Sequence, residues 1–151
     1  MITECFIKGR YDFGVGKCAV VIKEGDEIVH QVAWKVPQSW PYAGETIEAD
    51  QYNCEILAAT YALQWCTNKY TSAVNIYANT KTCQKWYMKG EFPESREAAA
   101  KMYTDAYAKY NEALNEYEGK EVAERVFADW VSKEDINEWN MLVNRLAEQV
   151  K

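Results

Sequence analysis

The sequence predicts a domain of the α/β or α+β class that is built on a sheet. Three observations support this prediction: three consecutive strand-like segments, an amphipathic helix directly after them, and a short apolar strand after that helix. Hairpin-linked strands followed by a helix are typical of the opening of such a sheet. The chain of 151 residues is long enough for a proper core, and residues 1–151 are expected to form one domain.

The first half of the chain is expected to hold three strands, one loop and one long helix. The strands are rich in β-branched and aromatic residues and are separated by glycines; they are predicted over Ile2–Gly9, Lys17–Glu24 and Ile28–Val36. The segment Pro37–Gly44 holds two prolines and a glycine, which predicts a loop. The helix is expected to run from about Glu48 to Asn68.

The second half is expected to alternate strands with helices. The strands are predicted over Ala73–Ala78, parallel to the first strand, and over Val122–Val131. The helices are predicted over Thr80–Met88, Pro93–Glu118 and a last segment ending near Val150. Their expected caps are Asn79 or Thr80, then Gly119 as the C′ residue, and a Ser132–Asp135 pair before the last helix. A tyrosine stripe on the long helix, which includes Tyr103 and Tyr110, is expected to pack against the domain.

Glu55 is an exception within the first long helix. Ile56, Ala59, Leu63 and Cys66 recur at spacings of three and four residues, which places an apolar stripe on one helical face. Glu55 lies at the start of that stripe instead of on the polar side. A carboxylate between a helix and a sheet requires a partner, because an unpaired buried charge is costly.

Composition excludes several classes of protein. The net charge is −6, and the segment Asn111–Glu138 alone holds nine acidic and three basic residues, which would repel nucleic acid from that side. The sequence has no run that is apolar and long enough to span a bilayer and no visible secretory signal, which predicts a cytoplasmic protein that does not enter membranes. The five cysteines are expected to be reduced and buried. His30 is the only histidine, which leaves few options for histidine-based catalysis.

Four local motifs, in this order along the chain, resemble those of the ribonuclease H family. FIKGRYD (Phe6–Asp12) is similar to the strand-1 signature of the family, and CEILAATYALQW (Cys54–Trp65) is similar to its first helix. IYANTKTCQKW (Ile76–Trp86) resembles strand 4 and the helix that follows, and WNMLVNRLA (Trp139–Ala147) resembles the C-terminal helix. The resemblance implies the order β-β-β-α-β-α-α-β-α, with a five-stranded mixed sheet and helices on both of its faces.

The resemblance implies a catalytic site that this sequence has largely lost. The family hydrolyses the RNA strand of an RNA–DNA hybrid with two divalent metals held by four carboxylates. At the matching positions this chain has Lys8, Glu55, Asn79 and Asn144, so only Glu55 is retained. The loop histidine of the family falls near Glu134 by ungapped counting. The resemblance therefore points to a catalytically degenerate member.

Charge arithmetic supports this hypothesis. The family's site carries a charge of −4, whereas Lys8, Glu55, Asn79 and Asn144 sum to zero, so they cannot neutralise two Mg²⁺ ions. We expect the Lys8 ammonium to pair with Glu55 at about 3–4 Å, in the place that a metal would take. The alternative is that both are solvated charges. Glu4 or Asp12 could also hold a single metal together with Glu55.

Binding is a separate question from hydrolysis. Candidate nucleic-acid-binding residues, which the resemblance places around the same site, are Arg10, Gln51, Lys81, Lys85 and Trp86, accompanied by Lys17 and Lys89. The alternative is that the lysines solvate a surface and that Trp86 packs. Any affinity for nucleic acid should be weak and sensitive to salt, given the acidity of the chain.

Three functions therefore remain open at this point. The first is a protein-binding or scaffold module that uses an aromatic patch including Trp40 and Tyr42. The second is a nucleic-acid binder that does not hydrolyse its ligand, with a basic strip from Arg10 to Lys85 and Lys89. The third is a residual hybrid-specific nuclease. No cofactor is expected for the first two, whereas the third requires Mg²⁺; the sequence leaves the oligomeric state open.

Overall fold

The computed structural model describes residues 2–69, 73–120, 125–132, 134 and 136–151, without the side chain of residue 89. The first part of the chain forms five strands and a helix: β1 (Ile2–Asp12), β2 (Val15–Glu24), β3 (Glu27–Val36), β4 (Ser39–Tyr42), β5 (Glu45–Glu48) and α1 (Gln51–Thr67). The rest forms two strands and three helices: β6 (Ala73–Ala78), α2 (Lys81–Lys89), α3 (Glu97–Glu118), β7 (Val126–Trp130) and α4 (Glu138–Glu148). None of the described helices is long and apolar enough to cross a membrane.

Five of these strands form one mixed sheet in the order β3-β2-β1-β6-β7. β1 pairs antiparallel with β2, and β2 pairs antiparallel with β3, whereas β1–β6 and β6–β7 are parallel. The predicted α/β architecture, with three antiparallel strands and a fourth strand parallel to the first, is confirmed.

Helices cover both faces of the sheet because alternate residues of each strand point to opposite sides. Cys5 and Ile7 of β1 belong to the main core, which α1 and α3 cover. Phe6 belongs to a smaller core under α4, together with Val143 and Ala147. We call these two sides the α1 face and the α4 face of the sheet.

The predicted loop Pro37–Gly44 is wrong in part, because β4 and β5 form a two-stranded hairpin there. Its turn lies at Ala43 and Gly44, whose φ angles are 50° and 82°. Pro41 is tolerated since a two-stranded ribbon leaves its missing N–H at an edge. The first helix consequently begins at Gln51 instead of Glu48, with the Asp50 carboxylate accepting the Asn53 N–H at 2.7 Å.

The first strand continues past its predicted end at Gly9 to Asp12, and two further boundaries differ in the second half of the chain. Thr80 caps α2 and Gly119 ends α3 in the left-handed conformation, as expected. The long helix is preceded by a 3₁₀ turn at Glu94–Arg96. The last helix is capped by Asn137, so the expected cap at Ser132 is wrong; its partner Asp135 lies outside the described residues. Part of the predicted strand Val122–Val131, residues 122–124, lies there too.

The tyrosine stripe of α3 packs as predicted over most of its length. Tyr103 and Tyr110 are fully buried, whereas Tyr117 at the end of the helix is 65% exposed. The five cysteines are buried and free, also as predicted.

Candidate functional site

Glu55 lies in a dry compartment between β1 and α1. The two elements approach so closely at Gly9 that a Cβ there would lie 2.1 Å from the Glu55 backbone nitrogen. The Glu55 side chain is 0% exposed. Its Oε2 accepts a hydrogen bond from the Tyr87 hydroxyl at 2.9 Å, and Oε1 has no hydrogen-bond partner among the described residues.

This burial decides the protonation of Glu55. Removal from water raises the pKa of the carboxyl group to about 7, although the hydrogen bond from Tyr87 and the charge of Lys8 act in the opposite direction. Burial, followed by the charge of the neighbouring carboxylate, raises the pKa of the Tyr87 hydroxyl, so it remains a donor. At neutral pH the compartment therefore holds a carboxyl group that is partly protonated.

The expected ion pair between Lys8 and Glu55 is wrong. Among the ion pairs of the described residues, none joins the Lys8 Nζ to the Glu55 carboxylate within 4.0 Å. The reason is strand alternation: Phe6 and Arg10 point to the α4 face, so Lys8 between them does too. Burial, followed by repulsion from Arg10, lowers the pKa of the half-buried Lys8 ammonium.

Asn79 and Asn144 do come together, as the resemblance predicts. Both line a cavity of about 70 Å³ between the end of β6 and α4, together with Ile7 of β1 and Tyr77 of β6. The Asn79 Oδ1 accepts the Gly9 backbone N–H at 3.1 Å, so this amide joins β6 to β1.

The alternative carboxylates are engaged elsewhere. Glu4 pairs with the Lys23 ammonium at 3.3 Å and accepts the Tyr77 hydroxyl at 2.7 Å. Asp12 pairs with the guanidinium of Arg10. Within the described ranges, no group of three or more His, Cys, Asp or Glu side chains is placed to hold a metal ion. One buried carboxyl, two amides and an ammonium do not fit a pair of Mg²⁺ ions.

The candidate nucleic-acid-binding residues lie in two separate places. Gln51 donates to the Gly9 carbonyl at 2.6 Å and accepts the Tyr11 N–H at 3.3 Å, so both ends of its amide are bound to β1. Lys81 and Lys85 are exposed on α2. The Trp86 ring packs 5.6 Å from the ring of Tyr52 and 5.6 Å from that of Phe92, centroid to centroid. Arg10 lies at the end of β1, 3.4 Å from Glu148 of α4.

The cleft that Arg10 lines does not include the expected strip toward Lys85. Arg10 lines a cleft of about 440 Å³ with Lys17 and Lys35, whereas neither Lys81 nor Lys85 contributes to it. Whether any of these residues binds nucleic acid stays a prediction.

Sequence reasoning missed three residues of this region. Tyr87 is the hydrogen-bond partner of Glu55, Lys35 completes the cationic cleft, and Phe13 lies at its rim. The alternation of β3 is a local signal that could have indicated Lys35. The Phe13–Gly14 dipeptide at the β1–β2 turn could have indicated Phe13. Tyr87 required knowledge of how α2 packs.

Solved structures show the same architecture over nearly the whole chain. Ribonuclease H1 from the archaeon Halobacterium salinarum NRC-1 matches with a TM-score of 0.65 and 12% identity, covering 99% of this chain and 96% of that one. The chain has the ribonuclease H-like fold.

Two further structures with this fold agree. The N-terminal RNase H domain of a Mycobacterium tuberculosis protein has a TM-score of 0.69 at 10% identity, with 99% of this chain and 98% of that one covered. LC11-RNase H1, solved in complex with an RNA/DNA hybrid, has a TM-score of 0.64 at 13% identity, with 97% of both chains covered. No protein-family model and no curated protein match the sequence. The ribonuclease H-like fold of this chain is thus established by its structure.

Proposed function

We propose that this protein is a ribonuclease H-like binding module that does not hydrolyse its ligand. The observation that carries the proposal is the state of Glu55, which is fully buried and hydrogen-bonded to Tyr87. A carboxylate that holds a catalytic metal must reach both the ion and a solvent-accessible substrate. Glu55 is closed off from solvent in this arrangement.

The charges at the three other positions support the same proposal. Two Mg²⁺ ions would bring a charge of +4 to a site whose side chains carry one ammonium, at most one carboxylate and two neutral amides. The Lys8 ammonium on the α4 face would repel the ions directly. Mg²⁺ prefers anionic oxygen ligands in a nearly octahedral arrangement, and this set provides at most one.

Nucleic acid is the ligand class that we favour. LC11-RNase H1, which has this fold, was solved in complex with an RNA/DNA hybrid. The cleft at Arg10 and Lys17, and the exposed Lys81 and Lys85 on α2, provide the positive charge that phosphates require. Binding by these residues needs no divalent metal.

A protein partner is the second candidate, and a specific surface favours it. An apolar groove of about 520 Å³ lies beside the edge strand β3, lined among others by Trp34, Tyr42, Tyr61 and Met102. Tyr42 was one of the two aromatic residues expected in such a patch. Its partner in that expectation, Trp40, is half-buried and packs against the main core.

A cleavage assay with a matched variant tests the proposal. Purified protein is incubated with a labelled RNA–DNA hybrid in Mg²⁺ and in Mn²⁺, beside Glu55→Gln at the same concentration. We expect no cleavage by either protein, and fluorescence anisotropy should detect the same hybrid affinity in EDTA as in Mg²⁺. Metal-dependent cleavage that Glu55→Gln abolishes would instead establish the residual nuclease. Equal cleavage by both proteins would indicate a contaminating enzyme.

A further inference from the structure

Three cations lie side by side across the end of the sheet. Arg10 of β1 is directly opposite Lys17 of β2, and Lys17 is directly opposite Lys35 of β3. We call these residues the cationic row. Neighbouring strands are about 4.8 Å apart, so the row extends over roughly 10 Å. Like charges in directly opposed positions destabilise a sheet, which makes this arrangement unfavourable without an anion.

Only one end of the cationic row is neutralised within the chain. Arg10 contacts the carboxylates of Asp12 and Glu148. Neither Lys17 nor Lys35 forms an ion pair with any residue that the structure describes. Both line the 440 Å³ cleft that opens beside the C-terminal end of α4. The cleft therefore presents two ammonium groups that form no direct ion pair within the described part of the chain.

An aromatic ring stands at the rim of the same cleft. Phe13 occupies the tip of the β1–β2 turn and is fully exposed, at 103% of its reference area. Its φ angle is 53° and that of Gly14 is 76°. Two-residue turns of this kind favour Asn-Gly or Gly-Gly, because a bulky side chain is strained at positive φ. Phe13 is thus exposed to solvent, in a backbone conformation that is strained for a bulky residue.

We propose that the cleft binds single-stranded nucleic acid, with phosphates along the cationic row and a base stacked on Phe13. Cations that follow a backbone, next to an aromatic ring on which a base stacks, are the two elements of sequence-tolerant single-strand binding. An unpaired base can expose its face to the ring, whereas bases in a duplex are stacked on one another. This inference rests on the proposed function and deepens it by naming the ligand and the surface.

The charge distribution of the chain is compatible with this surface. The net charge of −6 arises largely from the segment Asn111–Glu138, whereas the cleft is lined by Arg10, Lys17, Lys35 and Lys151 against Asp12 and Glu148. Binding should be weak at physiological salt and should strengthen as salt is lowered.

Fluorescence anisotropy with labelled oligothymidylate tests the inference. For Lys17→Gln with Lys35→Gln, we expect the slope of log K against log salt to become shallower by about 1.4, since each phosphate contact on a single strand contributes about 0.7. Lys101→Gln with Lys109→Gln, exposed on α3, makes the same charge change elsewhere and should leave the slope unaltered. A slope that instead falls equally in both double variants would overturn the proposal.

Phe13 provides a test in which affinity and stability change in opposite directions. Phe13→Asn should lower affinity by at least about five-fold through lost stacking. It should also raise the melting temperature, because asparagine tolerates positive φ. Unchanged affinity in a folded Phe13→Asn protein, or equally strong competition by polyglutamate, would refute a nucleic-acid site here.

The two proposals can fail separately. If single-strand affinity depends on Lys81 and Lys85 and not on the cationic row, this inference is wrong while the proposed function stands. If the cationic row binds oligothymidylate but the protein cleaves hybrid in a Glu55-dependent manner, the inference stands and the proposed function is wrong.

Discussion

The two faces of β1 differ sharply although their residues alternate along one strand. On the α1 face, Cys5, Ile7 and Gly9 contact an almost entirely apolar core, in which Glu55 is buried. On the α4 face, Glu4 and Arg10 form ion pairs that reach the surface. Lys8 shares this second face, so strand alternation separates it from Glu55.

This difference explains how the fold accommodates a fully buried carboxyl group. On the dry face, Glu55 has a neutral hydrogen-bond donor and a pKa near 7, so it need not carry a full charge. On the α4 face, which is partly open to solvent, ammonium, guanidinium and amide groups can be hydrated. Of the four positions that the sequence resemblance singles out, Glu55 is thus buried on the α1 face, whereas Lys8 lies on the α4 face.

The largest expected effect on stability comes from adding a side chain at Gly9, where β1 and α1 are in close contact. In Gly9→Ala, the new Cβ would meet backbone atoms of Glu55 and Cys54 within 2.5 Å. Backbone atoms cannot move aside like a flexible side chain, so we expect a loss of roughly 3 kcal/mol or more in the free energy of unfolding. Urea denaturation measures it.

Gly25→Ala serves as the control for this variant. A Cβ at Gly25 meets nothing within 4 Å, and its φ of 60° should cost only about 1 kcal/mol. Equal costs for the two variants would contradict the close approach of β1 and α1.

The pH dependence of stability should show the raised pKa of Glu55. The folded pKa of about 7 lies above the unfolded value of 4.5, so stability is full below pH 4.5 and is lost as pH rises through 7. The loss corresponds to about 3 kcal/mol at pH 8. Glu55→Gln cannot ionise and should lack this decline in chemical denaturation between pH 5 and pH 8.

Tyr87→Phe sharpens the same measurement. The hydroxyl of Tyr87 favours the ionised form of Glu55, so its removal should raise the pKa further and deepen the decline at high pH. Identical pH profiles for the wild type and Glu55→Gln would mean that Glu55 is not in the dry compartment.

A smaller effect is expected from introducing carboxylates at the positions that the resemblance assigns to metal ligands. Lys8→Asp combined with Asn79→Asp and Asn144→Asp adds three negative charges and removes one positive charge. We expect affinity for Mn²⁺ to increase at least about ten-fold in calorimetry, from Coulomb attraction alone. Lys8→Asn controls for the loss of the ammonium. An unchanged affinity in the triple variant would mean that these positions do not form one site.

The order and pairing of the main strands and helices were predictable because apolar periodicity is a local signal. Thr80 and Gly119 illustrate this, since their cap chemistry is read directly from residue type. The β4–β5 hairpin was not predictable in the same way. Its turn uses Ala43 at φ 50°, a position that alanine rarely occupies, and Pro41 argues against a strand.

The meeting of Asn79 and Asn144 was predictable from their motif positions, but the contacts of Lys8 and Glu55 were not. The face of Lys8 could not be read from hydrophobicity, because β1 is apolar on both sides: Phe6 faces α4 as Ile7 faces α1. The pairing of Glu55 with Tyr87 depends on the packing of α2 against the sheet, which is not encoded by local spacing.

The most direct test of a site without catalytic metals is paramagnetic broadening of backbone amide signals by Mn²⁺ in two-dimensional NMR. The triple variant with aspartate at positions 8, 79 and 144, titrated in parallel, shows the concentration at which an ion in this position becomes visible. At that concentration, we predict that the wild-type amides of Gly9, Glu55 and Asn79 keep their intensity. Selective loss of these three wild-type signals would place a metal beside Glu55 and contradict the account.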